Sequence, residues 1–397
     1  MPPSSFFNRR DVARSALLGG AATLLSAPSL LAQASSTTAT AFLNAHQFGA
    51  AGDGKTDDTA ALQRAIDASG EKSGGVFLPP GVYLSGELHL RPGIALIGIP
   101  AWNYSFGGGS ILRLADPHAR GLLNLTDARG ATLDGLALDG RKLGTSVHGI
   151  FTDRTAYGSH EDGFRIERCQ IARFTGDGIH LSHAWCFSVR HSEMMANHGD
   201  GLSLRGWDGF LLDNWFSGNG RAGFAARDEN ASVTFTANRI EWNREENFVV
   251  VGGDGYQITG NFFDRAGTVG IALRKNPQSA SWNKGPCTQF SITGNFVKRS
   301  GKFAGADSGN HESAQILLEG SSGVACTGNV LESGQDDGNK GLWSPAEGIV
   351  CQNLENCVIA NNVLHRGALR QLLVDLGGHG EGVVVKDNPG SLFRPPA

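Results

Sequence analysis

Gly176-Asp177-Gly178-Ile179-His180-Leu181 returns 23 residues later as Gly199-Asp200-Gly201-Leu202-Ser203-Leu204. Each copy runs on into a polar corner and a second apolar strand, Phe187-Ser188-Val189 after the first and Phe210-Leu211-Leu212 after the second. A self-similar period of about 22 to 24 residues marks a solenoid, because a unit that short buries its apolar face only by stacking on copies of itself. The two copies also set Asp177 and Asp200 at equivalent positions of neighbouring repeats.

Outward from this stretch the coils are countable by their corners. Val233-Thr234-Phe235-Thr236-Ala237-Asn238, Gln257-Ile258-Thr259-Gly260-Asn261 and Ser291-Ile292-Thr293-Gly294-Asn295 each place an apolar-x-apolar pair just before an asparagine. Ala325-Cys326-Thr327-Gly328-Asn329 and Val358-Ile359-Ala360-Asn361-Asn362 continue the series, and Asn214, Ser192 and Cys169 hold the same corner upstream. Successive spacings are 23, 22, 24, 23, 34, 34 and 33 residues, which predicts an inserted loop in each of the last three coils. Asparagines stacked at one corner satisfy one another and the backbone along the axis, as a ladder. Simple turn preference would also put single asparagines there. The last coil ends at Gly382-Val383-Val384-Val385-Lys386-Asp387-Asn388.

Glycine, 56 of 397 residues, is spread along the chain, as tight turns between many short strands require. The net charge of −4 gives no reason to expect a nucleic-acid partner. Residues 1–34 read as an export signal: Arg9-Arg10 precedes an apolar run, Ala16 to Leu31, broken by Gly19, Gly20 and Pro28, and Ala32-Gln33-Ala34 offers a cleavage site. The paired arginines resemble a twin-arginine signal, against the alternative of an ordinary secretory leader. The run is too short and glycine-rich for a spanning helix. The expectation is a periplasmic or secreted protein that keeps no membrane contact after cleavage. The six cysteines show no metal-ligand or framework spacing, and Cys326 and Cys351 read as reduced core residues.

After a linker at 35–44, Phe48-Gly49-Ala50-Ala51-Gly52-Asp53-Gly54-Lys55-Thr56-Asp57-Asp58 opens the folded region. Thr56 or Asp57 can cap a helix with Ala61, Leu62, Ala65 and Ile66 on one face, and Gly74 to Leu84 reads as strand, turn, strand. This block resembles the N-terminal cap of the pectate-lyase-like superfamily. The resemblance implies an all-β, single-stranded right-handed parallel β-helix of about ten coils with an N-terminal capping helix. We assign it residues 45–392, with a tail at 393–397.

Coils stack at the ~4.8 Å spacing of a sheet, so equivalent outward residues form columns. Strand alternation sends Ile179, Leu181, Leu202 and Leu204 inward. The leading column is His148, Asp177, Asp200, Ala222, Glu246, Val269, and the middle one is Phe151, His180, Ser203, Ala225, Val249, Ala272. The trailing column is Asp153, Ser182, Arg205, Arg227, Val251, Arg274. Polar residues gather between His148 and Arg227 and give way to valine and alanine beyond, unlike a face that is merely solvated. Two carboxylates roughly 5 Å apart repel, so one pKa should rise and separate an acid from a base or nucleophile. Asp177 and Asp200 are therefore the candidate catalytic pair, with Glu246 in reserve. His148, Asp153, His180, Arg205 and Arg227 are candidate substrate-binding residues, and Trp185, Trp207 and Trp242 offer ring faces to sugars. The competing reading of Gly-Asp-Gly is turn capping.

In this neighbourhood the chain resembles polygalacturonase-type glycoside hydrolases, which implies hydrolysis of pectic chains by aspartates on this sheet. Gly176-Asp177 stands where that family has Asp-Asp, Gly199-Asp200-Gly201-Leu202-Ser203 stands where it has Gly-His-Gly-Leu-Ser, and Ala225-Ala226-Arg227 replaces Arg-x-Lys. The expected function is glycoside hydrolysis of an extracellular polysaccharide, by a retaining route if both carboxylates face the sugar. A polysaccharide lyase or uronate epimerase, a fructan-cleaving transferase acting as a trimer, and a non-catalytic carbohydrate-binding β-helix stay open. The expected partner is a polysaccharide or oligosaccharide, the assembly a monomer or homotrimer. No metal or other cofactor is called for, with calcium left open.

Overall fold

Strand alternation decides the architecture. Ile179, Leu181, Leu202 and Leu204 are buried, while His180 and Ser203 between them face outward. Each strand pairs in parallel with the strand one coil away: Ile179 lies beside Leu202, Leu202 beside Phe224, and Phe224 beside Phe248. The computed structural model describes residues 42–70, 74–100, 108–277, 285–304 and 309–396, and the expected export signal lies outside the described residues.

One sheet contains 13 parallel strands. The other, of 21 strands, bends into two faces, since Ile179–Arg190 pairs at its start with His148–Thr152 and at its end with Arg165–Glu167. The three faces enclose one continuous apolar column, and the fold is a right-handed parallel β-helix. Aromatic rings stack along its axis, Phe224 on Phe248 and Tyr256 on Phe290, each at 4.8 Å. Coils begin ahead of the asparagine corners, in strands such as Gly81–Ser85 and Ser110–Leu114, so the 13-stranded sheet exceeds the count of about ten.

The asparagine corner is a ladder. Asn214, Asn238, Asn261, Asn295, Asn329 and Asn362 each donate an amide N–H to the side-chain oxygen of the next, ending on Asn388, at 2.8–3.1 Å. Asn261 also donates to the Phe235 carbonyl and accepts the Asn238 backbone N–H, all inside the protein. Asn261→Ala strands several buried polar groups at once and should cost about 2–3 kcal/mol. Urea unfolding measures this, and a change below about 0.5 kcal/mol, the range of an ordinary surface substitution, would contradict the ladder's structural role.

The helix Thr59–Gly70 turns Ala61, Leu62, Ala65 and Ile66 onto the first coils. Asp57 accepts the Thr59 N–H, and the buried Asp58 accepts those of Ala51 and Gly52, tying the helix start to the preceding loop. The sheet starts earlier than residue 45, since Leu43–Asn44 already pairs with Val76–Phe77. The last strand of the 13-stranded sheet is Gly390–Leu392, and the Phe393 N–H beyond it bonds the Ala368 carbonyl. The long spacings contain an antiparallel hairpin, Gly334–Asp336 with Lys340–Ser344, and a loop closed by reciprocal Asn276–Gly285 bonds. On the outer face, Ala225, Val249, Val269, Ala272 and Ala314 form a second buried apolar cluster downstream of the polar segment. Cys326 and Cys351 are free thiols in the core, pushed up to about 12 by burial.

Candidate active site

The doubled Gly-Asp-Gly is shaped by close approach. A second asparagine stack, Asn197 to Asn219 to Asn243, sets the corner ahead of it at 3.1 and 2.9 Å. A Cβ on Gly199 would lie 2.1 Å from Asp177 Oδ1, so only glycine lets that carboxylate settle over the next coil. Asp177 Oδ1 accepts the Asp200 N–H at 2.7 Å, and Asp200 Oδ1 accepts the Ala222 N–H at 2.9 Å. Each aspartate thus spends one oxygen on the turn of the following coil and has one left. The spare oxygen of Asp177 meets His180 Nδ1 at 2.8 Å, and that of Asp200 meets Arg227 at 2.6 Å.

The two carboxyls are displaced in opposite directions. Burial works against ionisation of Asp177 but is outweighed by the His180 hydrogen bond, the charges of both neighbouring histidines and the Asp200 N–H, which hold it below its ordinary value. Burial raises Asp200, opposed by Arg227 and aided by the charge of Asp177. Mutual repulsion, the cause expected from the stacked columns, is thus secondary to desolvation.

His148 Nδ1 accepts the Asp177 backbone N–H at 3.0 Å, so its proton sits on Nε2. Its ring stacks on His180 with centroids 4.4 Å apart. Burial lowers the His148 pKa to about 4, with Asp177 opposing and His180 reinforcing, so the ring stays neutral near neutrality. Since the folded pKa lies below the ordinary 6.5, this site's share of stability is whole above pH 6.5 and is lost as pH falls towards 4. The loss should be on the order of 2 kcal/mol, discounted for partial exposure of the ring. Urea unfolding from pH 7 to 4 checks it: wild type should lose that much more than His148→Gln, and equal losses would contradict the assignment.

His180 is oriented differently. With Asp177 ionised, Nδ1 carries the proton donated to it, and Nε2 is the open lone pair of a ring that is 37% exposed. A carboxylate that fixes one imidazole nitrogen as donor sets the other up as a base. The ring lines a groove of about 310 Å³ together with His148, Phe151, Asp153, Ser146 and Arg120. Arg120 pairs with Asp153, and its guanidinium lies 5.4 Å from the Phe151 ring centre. The side-chain ligand atoms of His148, Asp177 and His180 fall within 4.8 Å of one another, a mixed N and O set closer to transition-metal than calcium chemistry. Their hydrogen bonds already account for that closeness.

The other candidates fall into separate groups. Asp200 is fully buried against Arg227. Glu246 lies 3.2 Å from Arg274, which also holds Glu312. Arg205 binds Glu229 at 2.8 Å and so does not stack with Arg227 as the trailing column expected. The register changes after Leu204–Ala226 to Gly206–Asn230, and the two extra residues turn Arg227 back to Asp200 and bring Glu229 under Arg205. Trp185 meets Trp207 edge-on at 6.4 Å, and Trp207 stacks on Tyr157 at 3.7 Å, beyond the trailing edge. Trp242 lies at a corner, beneath Arg265 and Lys302, rather than in the groove with His180. Arg120, Tyr157 and Glu229 were not singled out from sequence. Aligning one coil further upstream, where Gly121 pairs with His148, would have brought out Arg120.

Known proteins resemble this chain over parts of its length. The family model for the rhamnogalacturonase A/epimerase, pectate lyase-like region matches residues 42–110, and that for the right-handed beta helix region matches 144–281 and 177–393. Mannuronan C5-epimerase AlgE5 of Azotobacter vinelandii is 32% identical over 188 residues, covering 43% of this chain and 18% of that protein. Alginate lyase 7 of the same organism is 31% identical over 200 residues, 46% of this chain and 23% of that protein. The chain thus spans only about a fifth of the length of these curated relatives. Among solved structures, the A-module of A. vinelandii mannuronan C-5 epimerase AlgE6 superposes with TM-score 0.57 at 18% identity, over 89% of this chain and all of that one. The enzymatically active domain of bacteriophage CBA120 tailspike protein 2 gives 0.63 at 15% identity, over 81% of this chain and 47% of that one. Both share the fold.

Proposed function

Because the chain belongs to the right-handed β-helix family, we propose that it is a polysaccharide-acting enzyme working at the His180 groove, by removing a proton from a uronic-acid unit. The observation that carries this reading is the Asp177–His180 pair, with an open Nε2 beside the cation of Arg120 in the same groove. The proton at C5 of a uronate is acidic only when its carboxylate is neutralised. Arg120, whose pair with Asp153 is exposed and can exchange for the substrate carboxylate, supplies that charge, and the enolate that forms is the species it stabilises. His180 Nε2 takes the C5 proton, and Asp177 stabilises the resulting imidazolium. The electron pair then has two outcomes. It forms a C4=C5 double bond as the C4–O bond breaks and the leaving oxygen takes a proton, which is a lyase. Alternatively C5 regains a proton from the other face, which is an epimerase. The relatives, mannuronan C5-epimerases and an alginate lyase, support this class over hydrolysis.

Hydrolysis by Asp177 and Asp200 keeps one observation in its favour, their opposite pKa displacements. Against it, Asp200 is closed off by Arg227. We further propose, from residues 1–34, that the enzyme acts outside the cytoplasm. Incubating the protein with polyuronates in deuterated water separates the reactions. Ultraviolet-absorbing unsaturated ends identify a lyase, and deuterium at C5 with inverted configuration identifies an epimerase. New saturated reducing ends without deuterium at C5 would overturn proton abstraction in favour of hydrolysis.

A further inference from the structure

Resting on the reading that the substrate is a polyuronate, we propose that the corner beside the groove is a second anionic-sugar subsite. Arg113, Arg141, Lys142 and Arg173 would there hold the carboxylate of another unit of the same chain. These four cations line a cavity of about 310 Å³ around a single carboxylate, Asp139. Four positive charges against one negative leave a net +3 (4 − 1) at a site open to solvent.

The cations are of two kinds. Asp139 is fully buried and accepts Arg113 Nε at 3.0 Å, Arg173 Nη2 at 2.6 Å and the Arg141 N–H at 3.0 Å. That carboxylate pins two guanidiniums in place, so their ordering is settled before any ligand arrives. Arg141 and Lys142 are exposed, and among the described residues neither side chain has an acidic partner. A carboxylate bridging the exposed pair and the pinned pair makes charge-assisted hydrogen bonds of the kind arginine favours.

The position ties this cavity to the groove. Arg113, Asp139 and Ala172 lie side by side on consecutive coils. The same three coils run on to Arg120, to His148 and to His180. The connection between Asp139 and His148 gives Arg141 and Lys142 to the corner cavity and Thr145 and Ser146 to the groove. Lys142 and Thr145 are three residues apart, at most about 11 Å of chain. A polymer leaving His180 across this connection passes directly over the basic corner.

The test measures binding apart from turnover. The Arg141→Gln/Lys142→Gln double variant and wild type, each also carrying His180→Ala, are titrated by calorimetry with polymannuronate, polygalacturonate and polyglucuronate. Dextran and dextran sulfate are the neutral and sulfated comparisons. The expected result is a Kd for at least one long polyuronate raised about tenfold or more in the double variant, with a shallower salt dependence. An unchanged Kd for the long chain overturns the subsite, as does tight binding of dextran sulfate with none of any polyuronate. If the double variant loses affinity but the enzyme with His180 intact yields neither unsaturated nor epimerised product, the proposed reaction fails and the subsite stands. If product forms and both proteins bind alike, only the subsite fails.

Discussion

Replacing His180 by alanine is expected to lower turnover of a polyuronate by about 10²–10⁴-fold, the range for losing a general base, with polymer affinity changed by less than about threefold. Asp177→Asn should fall in the same range for a separate reason. Its amide oxygen still accepts the Asp200 N–H, so the turn survives. The amide nitrogen then faces His180 Nδ1, which must become the acceptor, and the proton moves to Nε2, the wrong nitrogen for a base. The double variant should be little worse than either single one, because both remove one unit. Initial rates by product absorbance or C5 deuteration, with Kd by calorimetry, decide the matter. Either single variant retaining more than a third of wild-type turnover would remove His180 from the chemistry.

The second large effect lies one coil along. Arg227→Leu should cost about 3 kcal/mol of stability at pH 7, because it leaves the buried Asp200 carboxylate with only the more distant, half-exposed Arg221 at 3.7 Å as counter-charge. The pH dependence has a definite sign. Asp200 is already raised by burial, so without Arg227 its folded pKa rises further, and the folded state prefers the protonated acid. The penalty is full above that folded value and disappears as pH falls below the ordinary 3.8. Arg227→Leu combined with Asp200→Asn should recover most of the loss at pH 7. Urea unfolding of wild type and the two variants across pH 3.5 to 7 measures this. A deficit under about 1 kcal/mol at pH 7, no more than a surface pair contributes, would mean the guanidinium holds up nothing and is available to substrate.

The fold was legible because its cause is periodic. The corner spacing, the asparagines and the alternation of Ile179, His180 and Leu181 all express one stacking geometry, and the ladder and inward faces follow from it. The register of the candidate residues was legible for the same reason: His180 lies beside Ser203 and Asp177 one coil from Asp200, as the columns expected. The pairing of its charges was not. Arg227 turns back to Asp200 because two extra residues enter between Ala226 and Asn230, and the 24-residue corner spacing barely registers them. Tyr157 comes from the irregular connection after Thr152, where periodicity says nothing. The Asn197–Asn219–Asn243 stack keeps spacings of 22 and 24, yet its neighbours share no common motif to draw attention to it.

The parallel pairing of each strand with the strand one coil away also bears on how the chain acquires its structure. Along the regular part the residues that must meet are some 22 to 24 apart, as Ile179 is from Leu202, however long the solenoid becomes. The loop-closure cost of adding a coil is therefore nearly constant, and growth can proceed outward from whichever coil forms first. The aromatic cluster of Phe224, Phe235 and Phe248, with ring centres 4.8–5.4 Å apart, is a stretch of core to start from, and it adjoins the coils of the groove. Hydrogen exchange should then be slowest there and quicken coil by coil towards Val384–Lys386. On that order the frame behind His180 is among the earliest parts to become rigid.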